Sequence, residues 1–155
     1  MLLAHNRNLL TYIHDSLKDI ITIGYYVGGM KEKDLKETET KSVVLATYAM
    51  AAEALDIKTL STLIMATPKT DITQSIGRIL RVKGNNPIVV DIIDSHELFQ
   101  KQWLQRKRYY KKNDYFIYNT DIDNYINMTD TKWNISYDPA NKTEKKTKPK
   151  CLIQL

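Results

Sequence analysis

Apolar positions along this chain follow two rhythms. Short continuous runs rich in β-formers, Met1–Ala4, Ile20–Ile23, Val43–Ala46, Thr62–Ala66 and Pro87–Ile93, predict strands. Between them lie stretches with helical spacing. Asn6–Leu17 brings Leu9, Leu10, Ile13 and Leu17 to one face, and Tyr48–Leu55 reads as a short Ala-rich helix. The polar segment Lys31–Lys41 is partly helical, and Gly28-Gly29 before it marks a turn. Asp71, just past the strand-breaking Pro68, is placed to cap a helix running to Arg81, and Ser95 to cap one through about Tyr110.

Strands alternating with helices at this spacing predict an α/β fold with a parallel, doubly wound sheet. The uninterrupted apolar runs predict helices on both faces of that sheet. Binding sites in such sheets lie at the carboxyl ends of the strands, which directs attention to Thr47, to the loop Thr67–Asp71 and to the segment after Val82. Beyond Tyr110 the pattern dissolves. Tyr115–Tyr118 is spaced as one more short strand. Residues 119–150 are rich in Asn, Asp, Thr and Lys and end in the basic run Lys142–Lys150, which predicts a basic, partly disordered C-terminal extension. The expected division is therefore a domain over residues 1–112 and an extension over 113–155.

Composition narrows this only a little. The 155 residues suffice for one domain with an ordinary core, and 43% apolar with 26% charged residues is typical of a globular protein. No apolar run approaches the roughly 20 residues of a membrane-spanning helix, so no membrane partner is expected. The start lacks the basic region and the apolar length of a secretion signal. The one cysteine, Cys151, excludes an intramolecular disulfide and suggests a reducing, intracellular compartment. The net charge is +5, and its excess lies after Lys101, a distribution that suits a polyanion or a solubilising tail. His5, His14 and His96 lie near no cluster with ligand spacing, and no metal site is expected.

The sharpest candidate chemistry is Gln74-Ser75-Ile76-Gly77-Arg78-Ile79-Leu80-Arg81. On a helix Gln74, Arg78 and Arg81 share one face, while Ile72, Ile76 and Ile79 share the opposite one. Gly77 disfavours the helix by about 1 kcal/mol against Ala, so its presence suggests close packing there. Two permanently charged guanidinium forks beside an amide suit bidentate binding of phosphate oxygens, although a solvated basic face would have the same spacing. A second candidate is Ala46-Thr47-Tyr48-Ala49-Met50-Ala51-Ala52-Glu53-Ala54-Leu55-Asp56. Here a hydroxyl ends a strand, small residues permit close approach, and an acid comes after them. An Ala-rich helix packed on a sheet would read alike. A third is the stretch Lys101–Lys112, which interleaves Trp103, Tyr109 and Tyr110 with Arg106, Lys107 and Arg108. Rings that stack on bases beside cations that neutralise phosphates suit nucleic acid. The same stretch also suits an amphipathic helix packing Phe99, Trp103 and Tyr110 on the sheet.

Taken in order, Gln-x-x-Gly-Arg-x-x-Arg some twenty residues after the Ala-Thr…Asp segment resembles motifs VI and V of superfamily 2 helicases. Leu2-Leu3-Ala4-His5-Asn6 looks like their motif IV, and Tyr25–Met30 like the Gly-Gly turn after it. The resemblance covers roughly residues 1–105, and its wording in motif V is most like helicases of large DNA viruses of eukaryotes. It implies a RecA-like domain of the P-loop NTPase type, the second of the two in such motors. Arg81 would be the arginine finger that reaches the γ-phosphate of ATP, with Arg78 assisting. Gln74 and Asp56 would lie on the ATP side of the cleft. Thr47, Asn6 and Gly29 would touch the backbone of a DNA or RNA strand, with Arg106, Lys107 and Arg108 adding cations. Glu53-Ala54 stands where many members carry glycine before the acid, so the motif V contacts are less well defined.

The chain carries no Gly-x-x-x-x-Gly-Lys-Ser/Thr loop and no Asp-Glu-x-Asp or Asp-Glu-x-His segment. By the resemblance, both belong to a partner N-terminal RecA-like domain with Walker A and B motifs, which would hold most of the ATP and Mg2+. On its own, the chain is expected to hydrolyse no ATP. A start at motif IV suggests a fragment, a split gene or an internal start. Within the resemblance, a viral factory or virion joins cytoplasm and nucleus as an expected location. Two other readings stay open: a non-catalytic nucleic-acid-binding module, and a truncated helicase remnant.

Overall fold

Four of the five apolar runs, joined by a strand that begins where the fifth ends, pair into one parallel sheet of order β2-β3-β1-β4-β5. In the computed structural model, residues 1–53, 57, 60–72, 76 and 87–141 are described. In chain order the elements are β1 (Leu2–Ala4), α1 (Arg7–Leu17), β2 (Ile23–Tyr26), α2 (Glu32–Thr38), β3 (Val43–Thr47), α3 (Tyr48–Glu53), β4 (Thr62–Met65), β5 (Ile88–Asp91), α4 (Glu97–Lys112), β6 (Ile117–Asn119) and β7 (Asn134–Tyr137). The chain divides into two compact units, Met1–Arg106 and Lys107–Leu155.

In the first unit β1 is central, flanked by β3 and β4 in parallel register with Leu3 opposite Ala46 and Met65. The core results from this position. Leu3 and Ala4 of β1 and Val44, Leu45 and Ala46 of β3 are buried consecutively, on both faces, while β4 buries Leu63 and Met65. That double coverage is why these runs are continuous rather than alternating. Leu10 of α1 is fully buried in a cluster with Ala4 and Leu45, with Leu9 and Ile13 packed beside them. The edge strand β5 leaves Ile88 half exposed.

Two boundaries differ from the sequence pattern. The run Ile20–Ile23 is not a strand. The carbonyl of Leu17 accepts from the amides of Ile20 and Ile21, which closes a turn after α1 and leaves Ile20 exposed. The second strand instead occupies Ile23–Tyr26, pairing Ile23 with Val43 and Tyr26 with Ala46. Gly24 permits this, because a Cβ there would stand 2.9 Å from Thr38 Oγ1, whose hydroxyl donates to the Tyr25 carbonyl at 2.9 Å. At the start of α4 the expected cap was Ser95. The ring of His96 accepts from the Leu98 amide at 3.2 Å, and the carboxylate of Asp94 accepts from the His96 amide at 2.9 Å.

The second unit carries an antiparallel pair, with Tyr118 opposite Ile135 and Asn119 opposite Asn134. Residues 119–141, expected to be flexible, are organised by their own polar side chains. Asn127 Oδ1 accepts from the amides of Thr129 and Asp130 at 2.9 and 2.8 Å, and Asp138 Oδ1 from Ala140 at 2.8 Å. The buried Thr131 hydroxyl accepts from the amides of Ile126 and Asn127 at 2.9 and 3.2 Å. The Asn and Asp that suggested disorder by composition here form Asx turns. The basic run Lys142–Lys150 lies outside the described residues.

Candidate nucleotide and nucleic-acid interface

Because all five strands are parallel, their carboxyl ends share one edge of the sheet. His5 and Asn6 come after β1, Val27–Gly29 after β2, Tyr48 after β3, and Ala66–Lys69 after β4. The chain fills one side of β1 with β2 and β3 and then crosses to the other with β4 and β5, and in doubly wound sheets ligands bind at the carboxyl edge where the strand order so reverses.

Asn6 caps α1. Its backbone is extended, with φ −116° and ψ 149°, and its Oδ1 accepts from the Leu9 amide at 2.8 Å. Arg7 beside it donates to the Gly28 carbonyl, tying the start of α1 to the turn after β2. Gly29 has φ +86°, a conformation that disfavours side chains, and no atom lies within 4 Å of a Cβ built there. This glycine serves backbone shape and leaves open space in front of it. Thr47 ends β3 opposite Ala4 and is half-buried. Asn6, Gly29 and Thr47 thus all lie on the carboxyl edge.

Tyr48, directly after Thr47, is a residue that sequence reasoning did not single out. It is buried, its hydroxyl donates to the Thr67 carbonyl at 2.7 Å, and its ring lies 4.7 Å from that of His5. Burial, helped by the Asp91 carboxylate and opposed by Arg106, pushes its hydroxyl well above the ordinary tyrosine value, so it remains a donor. His5 also engages the loop after β4: its amide donates to Thr67 Oγ1 at 3.0 Å, and Nε2 meets the Pro68 carbonyl at 2.8 Å.

The expected cations of α4 part company. Arg106 is buried at 1% exposure and is corrected from a strand contact to an internal ion pair. Nε and Nη2 donate to the two Asp91 oxygens at 2.7 and 2.9 Å, and Nη1 donates to the Lys69 carbonyl at 2.8 Å. A guanidinium so enclosed is not available to a phosphate. Its place was readable in the spacing Phe99, Trp103, Arg106, Tyr110, in which Arg106 continues the inward stripe. Lys107, in the second unit, is half-buried and donates to Ser136 Oγ at 2.7 Å. Arg108 is exposed. Gln74, Arg78, Arg81 and Asp56 lie outside the described residues. Ile72 and Ile76, which the helical spacing turned toward the sheet, are both buried at 1% exposure, and the Ile76 amide donates to the Ile72 carbonyl at 2.8 Å.

No family model matches the chain. A protein of Acanthamoeba polyphaga mimivirus named as a putative ATP-dependent RNA helicase is 44% identical over 115 residues, 72% of this chain and 22% of that protein. One of African swine fever virus with the same description is 35% identical over 95 residues, 59% of this chain and 18% of the relative. Among solved structures, the C-terminal domain of the DEAD-box protein Dbp5 superposes with a TM-score of 0.59 at 15% identity, covering 70% of this chain and 68% of that domain. Over most of its length the chain is thus similar to proteins of large DNA viruses named as putative ATP-dependent RNA helicases. Its five-stranded parallel sheet has the RecA-like fold of that solved C-terminal domain. It spans about a fifth of the length of those two viral relatives. An uncharacterized protein of Invertebrate iridescent virus 3 is matched over a larger share of its own length: 32% identity over 72 residues, 46% of this chain and 69% of that protein.

Proposed function

We propose that the chain works as the C-terminal half of an ATP-dependent nucleic-acid helicase or translocase, supplying the arginine finger and part of the nucleic-acid track. The observation that carries this reading is the 44% identity to the mimivirus helicase. A match covering 72% of a 155-residue chain includes residues 74–81 wherever it begins. The buried Ile72 and Ile76 add support, because a helix through them would carry Gln74, Arg78 and Arg81 on its opposite face.

In this reading Arg81 and Arg78 stabilise the charge that develops on the transferred phosphoryl group, while Gln74 and Asp56 contact the nucleotide. ATP with Mg2+ is held mostly by a partner RecA-like domain that carries the phosphate loop and the acidic pair, and it supplies the free energy of stepping. Thr47, Asn6 and Gly29 hold the backbone of the strand at the carboxyl edge; Arg108, exposed in the second unit, is a further cation for phosphate. RNA is the first polymer to try, since the viral relatives are described as RNA helicases.

The test is RNA-stimulated ATP turnover by the chain assembled with a RecA-like domain that carries the phosphate loop. The chain alone should show no turnover above background. The assembly should turn over ATP, and Arg81→Ala should lower kcat by about a thousandfold or more. Arg81→Lys should recover little, because the lysine ammonium lacks the bidentate fork. Steady turnover by the chain alone, or an unaffected Arg81→Ala assembly, would overturn the reading.

A further inference from the structure

Three consecutive backbone carbonyls in the loop after β4 are each taken by a side chain from a different part of the first unit. Thr67 is held by the Tyr48 hydroxyl at 2.7 Å, Pro68 by His5 Nε2 at 2.8 Å, and Lys69 by Arg106 Nη1 at 2.8 Å. A carbonyl oxygen can only accept, so His5 carries its ring hydrogen on Nε2 here. The loop is gripped a fourth time where the His5 amide donates to Thr67 Oγ1 at 3.0 Å. The donors are themselves held. Arg106 is locked by both oxygens of Asp91, Tyr48 is buried, and the rings of His5 and Tyr48 lie 4.7 Å apart. The Lys69 ammonium stands 4.9 Å above the Tyr48 ring.

Loop carbonyls ordinarily face solvent, and three adjacent ones held by side chains from the ends of β1 and β3 and from α4 fix the direction in which the chain leaves the sheet. That direction bears on the arginine segment. Lys69 stands five residues before Gln74, so in sequence the clamped loop leads directly into the arginine segment. We propose that Tyr48, His5 and Arg106 are positioning residues whose shared task is to aim the arginine segment at the nucleotide cleft. None of them touches the nucleotide; they act through Arg81. The clamp therefore rests on the arginine-finger reading above.

The test uses Tyr48→Phe, which removes one oxygen and keeps the buried ring, in the assembled enzyme. Small displacements of a catalytic group cost up to about a hundredfold, so Tyr48→Phe should lower kcat for ATP by roughly tenfold or more. The RNA concentration giving half-maximal stimulation should stay within about twofold, since no strand contact is removed. His5→Ala should act in the same direction. His5→Gln, whose amide can still donate to Pro68, should restore much of the loss. In an Arg81→Ala background Tyr48→Phe should have no further effect on residual turnover. A Tyr48→Phe enzyme with normal kcat would overturn the clamp, as would an equal loss with and without Arg81. Should His5→Ala fail to fold, Tyr48→Phe alone decides. If Arg81→Ala is harmless, the helicase reading has failed; if Arg81→Ala is crippling and Tyr48→Phe is not, only the clamp has.

Discussion

Between Met1 and Arg106, the chain is held by partners far apart in sequence. Leu3 packs between strands that carry Ala46 and Met65, and the loop at Lys69 is held by an arginine 37 residues away. In the described residues after Lys107, most polar contacts are short-range. Asp121 binds Asn124, Asn127 binds Thr129 and Asp130, and Thr131 reaches back four and five residues. Apolar exposure shows the same division. The inner strands of the first unit are sealed, whereas Ile122, Ile126, Phe116 and Ile135 of the second are exposed by more than half. The contrast teaches that an Asn- and Asp-rich stretch can gain order from turn chemistry without much of a core, and that such order is local. Stability should therefore be concentrated in the first unit and divisible in the second.

The largest expected effect tests the buried ion pair. Asp91→Ala leaves the Arg106 guanidinium enclosed without its counter-charge, which costs about 3–5 kcal/mol. Urea unfolding should show it as a sharply lowered midpoint, and an unchanged midpoint would mean that Arg106 finds water. Next comes Thr131→Val, which strips two turn amides of their acceptor and should cost about 1–3 kcal/mol, at about 0.5–1.5 kcal/mol per hydrogen bond. Its effect should be confined to the second unit. Hydrogen exchange should speed roughly tenfold or more at Ile126 and Asn127 and stay unchanged in β1 and β3. Faster exchange in β1 would show that the two units unfold together and would break the comparison. The smallest effect is expected for Ile122→Ser. The side chain is 85% exposed, so the melting temperature should hardly move, within about 0.5 kcal/mol of stability.

Legibility varied with the kind of signal. The inner strands β1 and β3 were readable because burial on both faces demands an unbroken apolar run, and β4 because its run is just as apolar although only Leu63 and Met65 are buried. The second strand was misplaced by three residues because Ile20-Ile21-Thr22-Ile23 is as apolar as a strand should be. What moved it was pairing with β3 and the close approach of Thr38 to Gly24, neither visible locally. The position of Thr47 at the carboxyl edge was readable from the strand end, and those of Asn6 and Gly29 from the motif resemblance. Arg106 was assigned to the wrong side of its helix because residue type was weighed above spacing: an arginine among cations reads as solvated, yet positions 99, 103 and 106 form one stripe. Asp91, the reason an arginine can be buried there, lies on another element.

What the sequence determined by itself was the order of strands and helices, the parallel sheet they imply, and the motif resemblance to helicase domains. These rest on local spacing, since a strand buried on both faces and a helix with one apolar side each leave a mark within a few residues. Tertiary structure alone decided which polar groups face one another. The meeting of Tyr48, His5 and Arg106 at three adjacent carbonyls joins residues 19, 63 and 37 positions from their partners, and such encounters carry no periodic signature. They exist because parallel strands bring all their carboxyl ends to one edge, where residues remote in sequence come within hydrogen-bonding distance.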